Sequence, residues 1–342
     1  MGLLDKFIDK EKTEKLTVKD PRAIVNSILK GTSGSSLVRD LKYNIFYQIY
    51  CFKGVVDGVG VSTLVANTAL AMADLGISVL VIDTSILQPV QDVLLKTNVE
   101  NKNEKNLYDW FDLPYIRNSV LHSSSLNNRV SVLSFYGKHR GMIDVLSTND
   151  SGSLVDLALT EFHNKFDIIL IDSCHELTSI NMAAMQMSQQ IIQVWNDTPT
   201  VVSNIDDFIT NCVTLSCPLD KMRNVVFSKL NRDAMGNLDV LVKEYRLKKL
   251  ATCYLSESCS LVLVTGKPLW QYVSSNKDII EYTNFIIDVI SLILNIDTLG
   301  SKKARGTITS NDIVEGKVDG TLSKEIMEDS HNNEAEDGDT EC

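Results

Sequence analysis

The chain has 342 residues, enough to bury the core of one large domain or two modest ones, and 44% of them are hydrophobic. Its net charge of −11 is unevenly spread: residues 300–342 carry five Lys/Arg against eleven Asp/Glu, so that segment holds −6 and the rest −5. An acidic body excludes a protein that coats nucleic acid wholesale, because phosphate binding needs a basic face.

The opening "MGLLDKFIDKEK" sets Leu3, Leu4, Phe7 and Ile8 on one helical face against Asp5, Lys6, Asp9 and Lys10. This predicts an amphipathic helix over residues 2–10. It docks on its own domain or a partner, or it makes a peripheral membrane contact, against which its balanced charges count. Residues 20–42 read as helical around a "GTSGSS" break. Strand and helix then alternate. Apolar, β-rich runs fall at 44–52, 77–83, 129–135, 166–173, 190–195, 223–228 and 250–255. Helical stretches separate them, among them "SLVDLALTEFH", "SINMAAMQMSQ", "TVVSNIDDFIT", "LDVLVKEYRLKKL" and residues 278–296. Strands spaced by helices predict an α/β fold with a doubly wound, mainly parallel sheet over residues 44–299. The run "FIIDVISLILNI" is interrupted by Asp288 and is too short to span a bilayer. With no secretory signal in view, the expectation is a cytoplasmic protein. Beyond residue 300, Gly, Ser, Asn and acidic residues dominate and aromatics vanish, which predicts a disordered acidic tail over 300–342. Residues 1–43 then form a helical extension.

The first strand is followed by "KGVVDGVGVSTLVANTALA". A phosphate-binding loop ends in Gly-Lys-Ser/Thr, and its backbone amides and helix N-terminus cradle phosphates. Here the run is Gly58, Val59, Gly60, Val61, Ser62, Thr63, with valine at the lysine position. These six are the candidate nucleotide-binding residues, and Ser62 or Thr63 supplies the hydroxyl that would touch Mg²⁺. The seven cysteines show no Cys-x-x-Cys pair and no histidine at zinc spacing. "DSCHE" sets Cys174 beside His175, but adjacent residues at a strand end point apart and form a poor nucleophile pair.

From residue 44 to 295 the chain resembles the ParA/MinD family of P-loop ATPases. The match runs through the glycine loop, "VIDTSILQPVQDVLL" with Asp83 and Pro89, the Walker B-like "FDIILIDS" with Asp172, "QIIQVWNDTPTVVSNIDDFI", and "GKPLWQYVSSNK". The resemblance implies Mg²⁺ held by Ser62 and Asp172 if a nucleotide binds, and Asp83 and Asp172 as catalytic residues if the chain is active. It also marks departures. Val56 and Val61 replace both family lysines, Asp57 adds a carboxylate, and Ser85 stands where an acidic residue helps position the attacking water. Each lost charge-assisted contact costs about 1.5–3 kcal/mol. Lys53 is the nearest substitute cation, though its place at the strand end directs it elsewhere.

The implied cofactor is therefore none, or weakly bound ATP or ADP with Mg²⁺. The loop pattern is most similar to the CpaE/TadZ branch, which localises pilus or secretion assemblies. The resemblance implies a non-hydrolysing protein that positions or scaffolds a larger assembly of pilus, secretion or conjugation type, with a homodimer that need not depend on ATP. The alternative is an atypical partition-type ATPase cycling on DNA or membrane. Lys243, Arg246, Lys248 and Lys249 complete the partner candidates. They are cations favoured near a helix C-terminus, or a weak nonspecific DNA patch as in some ParA-type proteins.

Overall fold

The computed structural model describes residues 45, 47–85, 89–97, 119–134, 152–231, 236–264, 267–272 and 276–294. The expected helix at 2–10, the 1–43 extension and the 300–342 tail lie outside the described residues. The elements are β1 (Ile49–Gly54), α1 (Val61–Asp74), β2 (Val79–Asp83), α2 (Gln91–Leu94), β3 (His122–Ser123), β4 (Val130–Ser134), α3 (Gly152–Phe162), β5 (Ile168–Ser173), α4 (Ser179–Met187), β6 (Gln190–Trp195), α5 (Pro199–Thr214), β7 (Asn224–Leu230), α6 (Gly236–Glu244), β8 (Lys248–Tyr254), α7 (Glu257–Val264) and α8 (Lys277–Ile293).

The strands make one eight-stranded sheet in the order β3-β4-β2-β5-β1-β6-β7-β8. Pairing is parallel throughout except at the β3–β4 edge. β2 and β5 are buried along their whole length. That is why they read as continuous apolar runs rather than as an alternation: a parallel sheet is covered on both faces. Helices α1 and α8 pack on each other, as do α3 and α4, and members of both pairs contact the central strands. The expected doubly wound α/β fold is present.

Helix α1 follows the glycine loop and is buried without a break from Leu64 to Ala73. Its small side chains let it lie close to the sheet, and Gly76 at φ 86° turns the chain into β2. A short 3₁₀ turn at Leu269–Gln271 locks α1 in place. Trp270 donates its backbone N–H to Asn67 Oδ1 at 2.7 Å and its indole N–H to Asp74 Oδ2 at 3.0 Å, and its side chain is fully buried.

One sequence expectation is corrected here, and one strand was not foreseen. The stretch 238–250 is not one helix: α6 stops at Glu244, Arg246 takes φ 53°, and Lys248 and Lys249 already belong to β8. The two-residue edge strand β3, antiparallel to β4, had no apolar run to announce it.

Candidate functional site

A cavity of about 840 Å³ opens at the C-terminal ends of β1, β2, β5 and β7. Open parallel sheets bind ligands at this end. Its floor is the turn from Val56 to Thr63, and its walls are Thr84–Ser85, the 172–179 segment and Lys229. All six loop residues singled out in the sequence line it, as does Asp172.

Backbone geometry accounts for the loop's glycines. Gly58 and Gly60 have φ of 77° and 100°, in the left-handed region that favours glycine. A Cβ at Gly60 would also meet Ser228 Oγ at 3.0 Å and Lys229 Cε at 3.3 Å. Helix α1 starts at Val61 with no side-chain cap and no acidic residue in its first turn. Its first N–H groups are thus left for a ligand, as an anion cradle requires.

Two facing carboxylates stand behind the loop. Asp83 and Asp172 are register partners on β2 and β5, both buried. Asp83 accepts the backbone N–H groups of Ser85 (2.9 Å), Val90 (2.8 Å) and Gln91 (3.0 Å), so its oxygens hold the start of α2. Burial, and after it the Asp172 charge, raises its pKa above the ordinary carboxylate range. Burial raises Asp172 as well, partly offset by hydrogen bonds from Gln91 and the Ser62 hydroxyl. Gln91 was not singled out in the sequence. Its Nε2 donates to Asp172 Oδ2 at 2.7 Å and to the Ser62 carbonyl at 3.0 Å, which ties together the residues expected to hold Mg²⁺.

As its place at the strand end implied, Lys53 is turned away from the loop, and the cavity's cation is a different lysine. Lys53 is fully buried, and its Nζ donates to the carbonyls of Cys174 and, at 2.8 Å, Glu176. It serves the segment after β5, not the phosphate loop. Lys229, which sequence reasoning missed, is the single Lys or Arg among the described lining residues. It projects from the C-terminal part of β7, where the β7–β8 register shifts and its own φ is 57°. Its Nζ donates to the Gly58 carbonyl at 2.7 Å, and burial lowers its pKa. A signal for it did exist: a lysine near the end of an apolar parallel strand, "VVFSKL", where such sheets place ligand contacts.

Asp57 stands off the loop, with its side chain 83% exposed, and its Oδ1 lies 2.7 Å from His175 Nδ1. Cys174 Sγ instead accepts Asn181 Nδ2 at 2.7 Å, and burial raises the thiol pKa. Cys174 and His175 are thus engaged with different partners. Asn181 is a second buried residue without a sequence signal. It also accepts the Thr84 hydroxyl at 2.7 Å and donates to the Glu176 carbonyl at 3.0 Å, which shapes the cavity wall.

The residues fit a phosphate group: two left-handed glycines, uncapped helix N–H groups and one ammonium converge on the loop. They do not fit a magnesium ion comparably, because an amide N–H, a donor, already faces Asp172. Among the described residues no cluster of three or more His, Cys, Asp or Glu side chains has metal-holding geometry.

A family model described as an AAA domain matches residues 47–221, from the entry to β1 through the turn after α5. The chain belongs to this AAA domain family. Its fold is that of the ParA/MinD type of P-loop protein. The MinD cell division protein of Aquifex aeolicus superposes with a TM-score of 0.56 at 18% identity, over 72% of this chain and 97% of that one. MinD of Pyrococcus horikoshii, solved with Mg-ADP, gives 0.54 at 16% identity over 75% and 100%. A ParA family ATPase from Chlorobium tepidum gives 0.52 at 14% identity over 71% and 98%. At such identities the likeness concerns the fold alone. No curated protein sequence matches the chain significantly. For this AAA domain chain no described helix is long and apolar enough to cross a membrane.

Proposed function

We propose that this chain is a non-hydrolysing ParA/MinD-like protein that positions or scaffolds a larger assembly of pilus, secretion or conjugation type, and holds a nucleotide weakly. The observation that carries this is the Gln91 amide seated between Asp172 and Ser62. Phosphoryl transfer depends on positioning and on cations that neutralise charge at the transferring group. Here Val61 and Val56 supply none, Ser85 carries no carboxylate, and Asp83 is committed to three backbone N–H groups. A bound ATP or ADP would supply charge that braces the loop against the 172–179 wall. The chain's own groups cradle that charge; they do not activate a water.

Partners follow by analogy. A MinC:MinD complex of Aquifex aeolicus includes a protein of this fold, so a protein partner is the model for this chain. A homodimer through the face that ParA/MinD proteins use need not depend on ATP, since Val56 and Val61 replace the bridging and loop lysines. The CpaE/TadZ-like loop pattern favours the pilus and secretion class. The alternative, a partition-type ATPase cycling on DNA or membrane, would have to draw its cation from Lys229.

Calorimetric titration of the full chain with ADP and ATP, with phosphate release followed in parallel, tests the proposal. Binding without turnover is the expected result. Turnover that Asp172→Ala abolishes would overturn it in favour of the ATPase reading.

A further inference from the structure

We infer that Lys229 has taken over the role of the missing loop lysine, so that the cavity binds the phosphates of a nucleotide through a cation from β7 and without a divalent metal. The inference rests on the proposed reading of the cavity as a nucleotide site.

Three observations carry it. First, the loop backbone keeps the shape of an anion cradle although its lysine is gone: Gly58 and Gly60 are left-handed and the first turn of α1 is uncapped. Fixing glycine in these conformations costs conformational entropy. Second, Lys229 leans across that loop from a different strand. Its Nζ lies 2.7 Å from the Gly58 carbonyl and its Cε would crowd a Cβ at Gly60. A lysine at φ 57° is a strained choice for an ordinary strand, and such strain concentrates at sites of function. A carbonyl is a weak acceptor compared with a phosphate, so an arriving anion competes well for the ammonium. Third, a hydrogen-bond donor already occupies the position behind the loop. Gln91 Nε2 donates to Asp172 Oδ2 and to the Ser62 carbonyl, so a metal approaching that oxygen would have to displace an amide donor. Lys53, the other cation near the cavity, is spent on two carbonyls.

The remaining charges near the opening are Asp57 with His175, and Glu176. Asp57 lines the cavity and is held by His175 Nδ1 at 2.7 Å.

The test is calorimetry of the full chain with ADP and with inorganic pyrophosphate, in EDTA and again in Mg²⁺. Wild type is expected to bind both in EDTA, with affinity changing less than about threefold when Mg²⁺ is added. Lys229→Met should weaken binding at least about tenfold, Lys229→Arg should keep most of it, and Val61→Lys in the Lys229→Met background should restore it. Lys165→Met, on the surface beside Glu161, serves as a control that should change nothing. Thermal unfolding of each variant confirms that it is folded. Lys229→Met binding like wild type would overturn the role of Lys229 while the nucleotide reading stands. Binding only with Mg²⁺ would overturn the metal-free site. No binding by wild type under either condition would overturn the nucleotide part of the proposed function itself, and this inference with it.

Discussion

Asp83 and Asp172 sit side by side on neighbouring strands, both buried, and each is easier to protonate in the fold than in the open chain. A carboxyl whose folded pKa is raised binds more protons folded than unfolded. Stability is therefore full below the ordinary carboxylate pKa and is lost as pH climbs from about 4 through the raised values. Replacing Asp172 with Asn keeps an oxygen for Gln91 Nε2 but removes the charge that disfavours ionised Asp83. The Asp172→Asn variant is expected to lose less stability than wild type between pH 5 and pH 8, by on the order of 1 kcal/mol. Urea unfolding at the two pH values measures this. An equal loss in both proteins would mean that the pair does not interact across the strands. Much of this arrangement was legible: the loop and Asp83, Asp172 and Ser85 were all placed by motif. Gln91 was not, because it acts through contacts with residues distant in sequence that no local pattern encodes, and Lys229 was passed over although its place near the end of an apolar strand offered a signal.

At the scale of elements, the loop is only as well placed as the helix behind it. Helix α1 has no capping side chain and is held from the other side by Trp270, through Asn67 and Asp74. Trp270→Ala would leave a large cavity and remove the indole's hydrogen bond to Asp74. Losses for such truncations run to about 3–5 kcal/mol, a large share of a domain's net stability. Thermal and urea unfolding are expected to show it. Hydrogen exchange in α1 should rise with it, whereas a change confined to the 267–272 segment would show that Trp270 does not brace the helix. The sheet itself was readable because its strands are apolar on both faces: "QIIQVW" marks β6 to the residue, and "FDIILIDS" overshoots β5 only at its start. Reading failed where periodicity and composition conflict. The basic stretch "KEYRLKK" continues a helical pattern, yet the left-handed turn at Arg246 ends it and hands Lys248 to the sheet, where its N–H pairs with Arg223 O at 2.7 Å. Backbone pairing to β7 outweighed local propensity there.

For the molecule as a whole, charge decides which partners are plausible. The chain carries −11 overall, and the four cations considered for DNA contact are divided among the end of α6, a turn and β8. Lys249 is further engaged, 2.7 Å from Asp239 and 5.3 Å above the Phe227 ring. Nonspecific DNA affinity grows with the number of phosphates neutralised at once, and each contact is weakened by salt. Against an acidic surface, a few cations with one already paired offer few such contacts. At about 0.15 M salt the protein is expected to leave duplex DNA unshifted, with ATP or without it. Reversing Lys243 and Lys248 to Glu should change nothing. Gel shift and fluorescence anisotropy across a salt series measure this. Retention that disappears in the charge-reversed variant would restore DNA as a partner and favour a partition role.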